Sequence, residues 1–78
     1  MTPVEALRAL GIAPPIWARE APEIGFTRAG RKEWRYRAKF LATSAIVPVA
    51  HLIVEGWDVV LDRDPAGLII RISKKENA

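Results

Sequence analysis

Residues 57–73 read WDVVLDRDPAGLIIRIS, and this stretch decides the fold. Apolar and polar side chains mostly alternate along both halves, which is the period-two pattern of β-strands with one buried face. Residues 63–66 separate the halves and contain the Asp and Pro that are typical of turns. The pattern therefore predicts a β-hairpin with strands at 57–62 and 67–73.

A four-residue loop at 63–66 predicts the register of this hairpin. In that register every large apolar side chain of the core pairs with another on the same face, and a slip of one residue would destroy the match. The expected pairs on the buried face are Leu61–Leu68, Val59–Ile70 and Trp57–Ile72. The expected pairs on the opposite face are Asp58–Arg71 and Val60–Ile69.

Upstream of the hairpin, residues 33–40 alternate apolar side chains with basic ones. This pattern predicts a strand that pairs with residues 24–27 across a turn at 28–31. The side chains expected to face the core are Trp34, Tyr36, Ala38 and Phe40. A helix is the alternative, because Arg, Lys, Glu, Ala and Leu are good helix formers.

Two helices are predicted outside the strands. Thr2 precedes a proline and Gly11 follows the apolar residues, which predicts a short helix at 3–10. Residues 46–55 predict a second helix that ends at Gly56. That helix is apolar nearly all round, as in helices that are buried on most sides. Residues 16–23 show no clear period and are interpreted as irregular.

Together these elements predict one α+β domain over residues 1–78. It has a small antiparallel sheet of three to four strands with a C-terminal β-hairpin, one buried helix and a short N-terminal helix. The alternative is a winged helix-turn-helix fold. In residues 52–73, the end of a helix, Glu55-Gly56-Trp57 and a hairpin resemble the wing of winged helix-turn-helix regulators. The resemblance implies that helix 46–55 recognises DNA, but its apolar composition does not suit that role.

The composition excludes several kinds of site. The chain has no Cys and one His, so disulfides, thiolate metal sites and histidine-rich metal sites are excluded, and no cofactor is expected. His51 lies about two helical turns from Ser44, roughly 10 Å away, so no catalytic pair and no enzyme activity are expected. The longest apolar run is about ten residues, half of what a membrane span needs. A cytoplasmic location is expected, and the absence of Gln favours a thermophilic source.

Positive charge is concentrated in residues 28–39, which carry a net charge of +5 in a chain whose total is +3. On a strand, Arg35, Arg37 and Lys39 would lie on one face about 6.6 Å apart, which is close to the spacing of phosphates along a nucleic-acid strand. The segment therefore predicts a small nucleic-acid-binding accessory or regulatory protein. The candidate phosphate-binding residues are Arg28, Arg31, Lys32, Arg35, Arg37 and Lys39. Neutralisation by Asp58 and Asp62 of a neighbouring strand is the structural alternative.

A protein-interaction module is the alternative function. The same basic segment would dock an acidic partner surface, as in an inhibitor, an adaptor or an assembly subunit. Helix 46–55 further predicts a homodimer, because one small sheet covers only one side of an apolar helix. The residues expected near the dimer interface are Val49, Leu52, Ile53, Val60 and Ile69. In a monomer, residues 12–26 would have to cover the helix instead.

Overall fold

The structure is a computed structural model that describes residues 1–74, which form two α-helices and one four-stranded antiparallel sheet. The elements are α1 (Pro3–Ala9), β1 (Glu23–Phe26), β2 (Lys32–Ala38), α2 (Ile46–Val54), β3 (Trp57–Asp64) and β4 (Gly67–Lys74). The strand order is β1-β2-β4-β3. The predicted α+β class is confirmed, and residues 32–38 form a strand rather than a helix. Neither helix within residues 1–74 is long and apolar enough to cross a membrane.

Both helices begin at the predicted residues, Pro3 and Ile46, and each ends one residue before its predicted end. The Glu5 N–H donates to Thr2 Oγ1 at 3.2 Å and the Thr2 N–H donates to Glu5 Oε1 at 3.3 Å, which forms a capping box at the start of α1. Hydrogen bonding of the Glu5 carboxylate to the side chain and to the backbone N–H of Thr2 lowers the pKa of Glu5. Gly11 follows α1 at φ 74°, and Gly56 follows α2 at φ 93°. Both angles lie in the region that favours glycine.

The β3–β4 hairpin has a shorter loop than predicted. Asp64 pairs with Gly67, so only residues 65–66 form the loop, and Trp57 faces Lys74. The Ala66 N–H donates to Asp64 Oδ2 at 3.3 Å, which closes the turn. The predicted four-residue loop is therefore wrong.

The shorter loop moves the register by two residues, so every side chain keeps its predicted face while its cross-strand partner changes. Asp58 faces Ser73 and Val60 faces Arg71. The predicted Asp58–Arg71 and Val60–Ile69 pairs are therefore wrong, as are the three pairs on the buried face. The observed pairs on the buried face are Val59–Ile72, Leu61–Ile70 and Arg63–Leu68.

The core lies between one face of the sheet and the two helices. Its most deeply buried apolar side chains are Leu7 of α1, Leu52 of α2, and Ile70 and Ile72 of β4. Two pairs of aromatic rings extend this core along the sheet in edge-to-face contact. The ring centroids are 5.6 Å apart for Trp34–Trp57 and 5.3 Å apart for Trp17–Tyr36.

Two residues that the sequence assigns to the core lie largely outside it. Phe40 is 72% exposed, because β2 ends at Ala38 and the alternation of faces ends with it. Leu61 is 47% exposed and lies toward the loop end of the edge strand β3. Trp17 takes their place in the core, carried by a 3₁₀ turn at Ile16–Arg19 inside the segment interpreted as irregular.

Candidate interaction surfaces

The face of the sheet that points away from the helices, called the outer face here, carries an ion-pair network centred on Glu33. Glu33 is only 2% exposed, and its Oε1 accepts hydrogen bonds from Arg35 Nε at 2.7 Å and from Arg71 Nε at 3.2 Å. Arg71 also pairs with Asp62. Burial by itself would raise the pKa of Glu33, but the two guanidinium groups outweigh it and hold the pKa below its ordinary value. Glu33 is therefore a carboxylate that holds both arginines in place.

Two further arginines near the outer face are also paired with carboxylates. Arg37 donates through Nε to Glu23 at 3.1 Å and through Nη1 to Asp64 at 3.2 Å. Arg31 Nη1 lies 3.0 Å from Asp58. Arg31, Arg35 and Arg37, half of the predicted phosphate-binding residues, are therefore neutralised within the domain.

The other three predicted phosphate-binding residues do not share one surface. Lys32 lies on the helix-bearing face of β2, with Nζ 5.2 Å from the centroid of the Trp34 ring. Arg28 is exposed in the β1–β2 turn, and Lys39 is exposed beyond the end of β2. Within residues 1–74, these three side chains form no ion pair with a carboxylate. The strand thus divides the basic segment between its two faces and its ends.

Helix α2 buries one side and exposes the other. Pro48 and Leu52 face the core. The opposite side, called the α2 outer face here, consists of the exposed residues Ile46, Val47, Ala50, Ile53 and Val54, and the polar side chain of His51 is exposed at its margin. Its four large side chains are 57%, 58%, 54% and 82% exposed in chain order. Residues 40–54 contain no Asp, Glu, Lys or Arg, so the face is apolar without interruption by charge.

The residues predicted for a dimer interface do not form one surface. Ile53 lies on the α2 outer face, but Leu52 is 0% exposed and Val49 packs partly against the core. The prediction for Leu52 is therefore wrong, because its side chain is already covered within one chain. Val60 and Ile69 lie on the outer face of the sheet, opposite Arg71 and Asp62 respectively, and so are separated from α2 by the whole sheet.

A cleft of about 390 Å³ lies where β2 ends. Its lining is mainly apolar and comes from two segments that are distant in the sequence. The lining residues are Pro15, Ile16, Trp17, Glu20, Arg37, Ala38, Lys39, Phe40, Ala42, Ser44 and Ala45. Trp17 Nε1 is buried and has no hydrogen-bond partner among residues 1–74. Sequence reasoning missed the cleft because it assigned Phe40 to the core and found no period around Trp17.

Comparisons with known proteins do not indicate a function, so the function is inferred from these surfaces. No known family model matches the chain, and no curated protein or solved structure is detectably similar to it. Three features therefore remain to be weighed for function: the paired outer face, the α2 outer face and the cleft beside β2.

Proposed function

We propose that this domain is a protein-interaction module, an assembly subunit that associates through the α2 outer face. The observation that carries this proposal is the exposure of Ile46, Val47, Ile53 and Val54 along one side of a nine-residue helix. Monomeric domains rarely leave a contiguous apolar patch of this kind open to water. A small domain gains core by covering such a patch with a partner.

Burial of the exposed side chains would favour association. Together the four expose the equivalent of about two and a half side chains, each worth about 1.5–3 kcal/mol on full burial. Two such faces covering one another would contribute about 8–15 kcal/mol as an upper estimate. Association costs about 4–15 kcal/mol. A micromolar dissociation constant needs a net gain of about 8 kcal/mol, which the upper end of the burial estimate supplies when the cost of association is near its lower end.

A second copy of the chain is the partner that this face fits best. The face carries no Asp, Glu, Lys or Arg that would select a partner by charge, and a two-fold axis lets one apolar face cover its equal. The basic segment gives weaker support to docking on an acidic protein, because Arg31, Arg35 and Arg37 already face carboxylates. Because these three arginines already face carboxylates, nucleic-acid binding through the basic segment also stays a prediction.

Sedimentation equilibrium from about 0.1 to 100 μM tests the proposal, since this range brackets a dissociation constant of about 1 μM. We expect the mass to rise from 8.7 kDa to twice that value. Val54→Asp places a charge at the most exposed position of the face and should give a monomer at every concentration. Phe26→Asp is the matched control, because Phe26 is also 67% exposed but lies on β1. A constant mass of 8.7 kDa for the wild type contradicts the proposal.

A further inference from the structure

We infer that a second copy of the chain, seated on the α2 outer face, also covers the exposed side chains of Ile16 and Phe40 beside the start of α2. The inference rests on the proposed association through the α2 outer face, and it assigns the rest of that interface.

The α2 outer face is too small to form a stable interface by itself. Its four large side chains together expose the equivalent of about two and a half, which amounts to about 150–300 Å² of apolar area per copy. Stable interfaces bury about 800 Å² on each partner, which is most of a broad side that measures 35 × 30 Å in this domain. A second copy seated on α2 must therefore extend well beyond this helix.

Apolar side chains continue past the start of α2. Ile16 and Phe40 are 80% and 72% exposed, and they line one cleft with Ala45, which directly precedes the helix. Residues 40–54 contain no Asp, Glu, Lys or Arg, so no charge lies along the chain between Phe40 and the α2 outer face. Covering both side chains would roughly double the apolar area of the interface. The charged residues of the cleft would lie at the polar rim that surrounds such interfaces, namely Glu20, Arg37 and Lys39.

An extension in the opposite direction, toward β1, would have to cover two lysines. Phe26 of β1 is 67% exposed, but it pairs with Lys32, whose Nζ lies 5.2 Å from the centroid of the Trp34 ring. Lys74 pairs with Trp57, the first residue of β3, and its Nζ lies 4.9 Å from the centroid of that ring. Because lysine is depleted at the centres of interfaces, the second copy is expected on the side of the cleft and not on the side of β1.

Sedimentation equilibrium of surface variants from about 0.1 to 100 μM tests the inference. We expect Phe40→Asp and Ile16→Asp each to raise the dimer dissociation constant at least tenfold, and Phe40→Leu, which keeps an apolar side chain, to associate nearly as the wild type does. Phe26→Asp is the matched control and should leave the dissociation constant unchanged. All these positions are exposed, so the circular dichroism and thermal melts of the monomeric variants should match those of the monomeric wild type.

The outcomes separate this inference from the proposed function. If Val54→Asp is monomeric while Phe40→Asp and Ile16→Asp associate as the wild type does, the inference is overturned and the proposed function stands. If Phe26→Asp weakens association as much as Phe40→Asp does, the assigned direction is wrong. A constant mass of 8.7 kDa for the wild type overturns both the inference and the proposed function.

Discussion

Replacing Glu33 with Gln removes the charge at the centre of the outer-face network and keeps the shape of the side chain. A hydrogen bond to a charged group is worth about 1.5–3 kcal/mol, and Glu33 accepts one each from Arg35 and Arg71. Solvent screens part of this energy, because the two arginine side chains remain 37% and 35% exposed. We therefore expect Glu33→Gln to lower the free energy of unfolding by about 2–3 kcal/mol at neutral pH.

The loss should depend on pH in a defined direction. Burial opposes ionisation of Glu33, but the hydrogen bonds from Arg35 and Arg71 keep its folded-state pKa below the unfolded value, which is about 4.3. The stabilisation is therefore present above the unfolded pKa and is lost as the pH falls through the folded-state pKa. Gln carries no carboxyl group, so the wild type and Glu33→Gln should converge in acid.

Urea unfolding followed by tryptophan fluorescence, at pH near 7 and near 3, measures both effects. Glu23→Gln is the matched control, because it removes the carboxylate of an exposed ion pair with Arg37 and should leave the urea midpoint unchanged. Equal midpoints for the two variants at neutral pH would refute a central role for Glu33. A Glu33→Gln loss that stays the same in acid would refute the ionic explanation.

Three further predictions concern the core, a turn and the basic segment. At chain concentrations well below the dimer dissociation constant, Leu52→Ala should lower the free energy of unfolding by about 2–5 kcal/mol in urea titrations, whereas Val54→Ala, at an exposed site of the same helix, should change it little; equal losses would contradict the assigned sides of α2. Gly67→Ala should lower the melting temperature, because Gly67 has φ 147° and a Cβ there would overlap the backbone that follows β2; an unchanged melt would contradict this. The nucleic-acid hypothesis predicts salt-sensitive binding to a labelled oligonucleotide that weakens in Arg28→Ala and Lys39→Ala, and no binding at about 50 mM salt would contradict it.

The elements of the fold could be predicted because each has a local signal. Thr2 and Gly11 bound α1, and period-two alternation at 33–40, 57–62 and 67–73 predicts β2, β3 and β4 to within two residues at each end. The hairpin register could not be fixed in the same way. A shift of two residues leaves every side chain on its face, so the apolar pattern fits a two-residue loop as well as a four-residue loop.

The surfaces depend on contacts that lie outside any local pattern. In the sequence, Glu33 is the one acid within a basic segment. Its partner Arg71 is 38 residues away, on strand β4, which lies beside β2 in the fold. Helix α2 is apolar nearly all round, so its sequence does not indicate that Leu52 faces the core and Ile53 faces outward. The cleft joins segments around Trp17 and Phe40 that no shared pattern connects.

A cysteine cross-link tests the central claim, association through the α2 outer face, most directly. The chain has no cysteine, so a single substitution gives an unambiguous readout. Ala50→Cys places the thiol on the α2 outer face, and Val60→Cys places it on the outer face of the sheet as the control. Under mild oxidation at micromolar concentration, we predict rapid disulfide-linked dimers of Ala50→Cys and slow cross-linking of Val60→Cys. Equal rates for the two variants, or faster cross-linking of Val60→Cys, would contradict the claim.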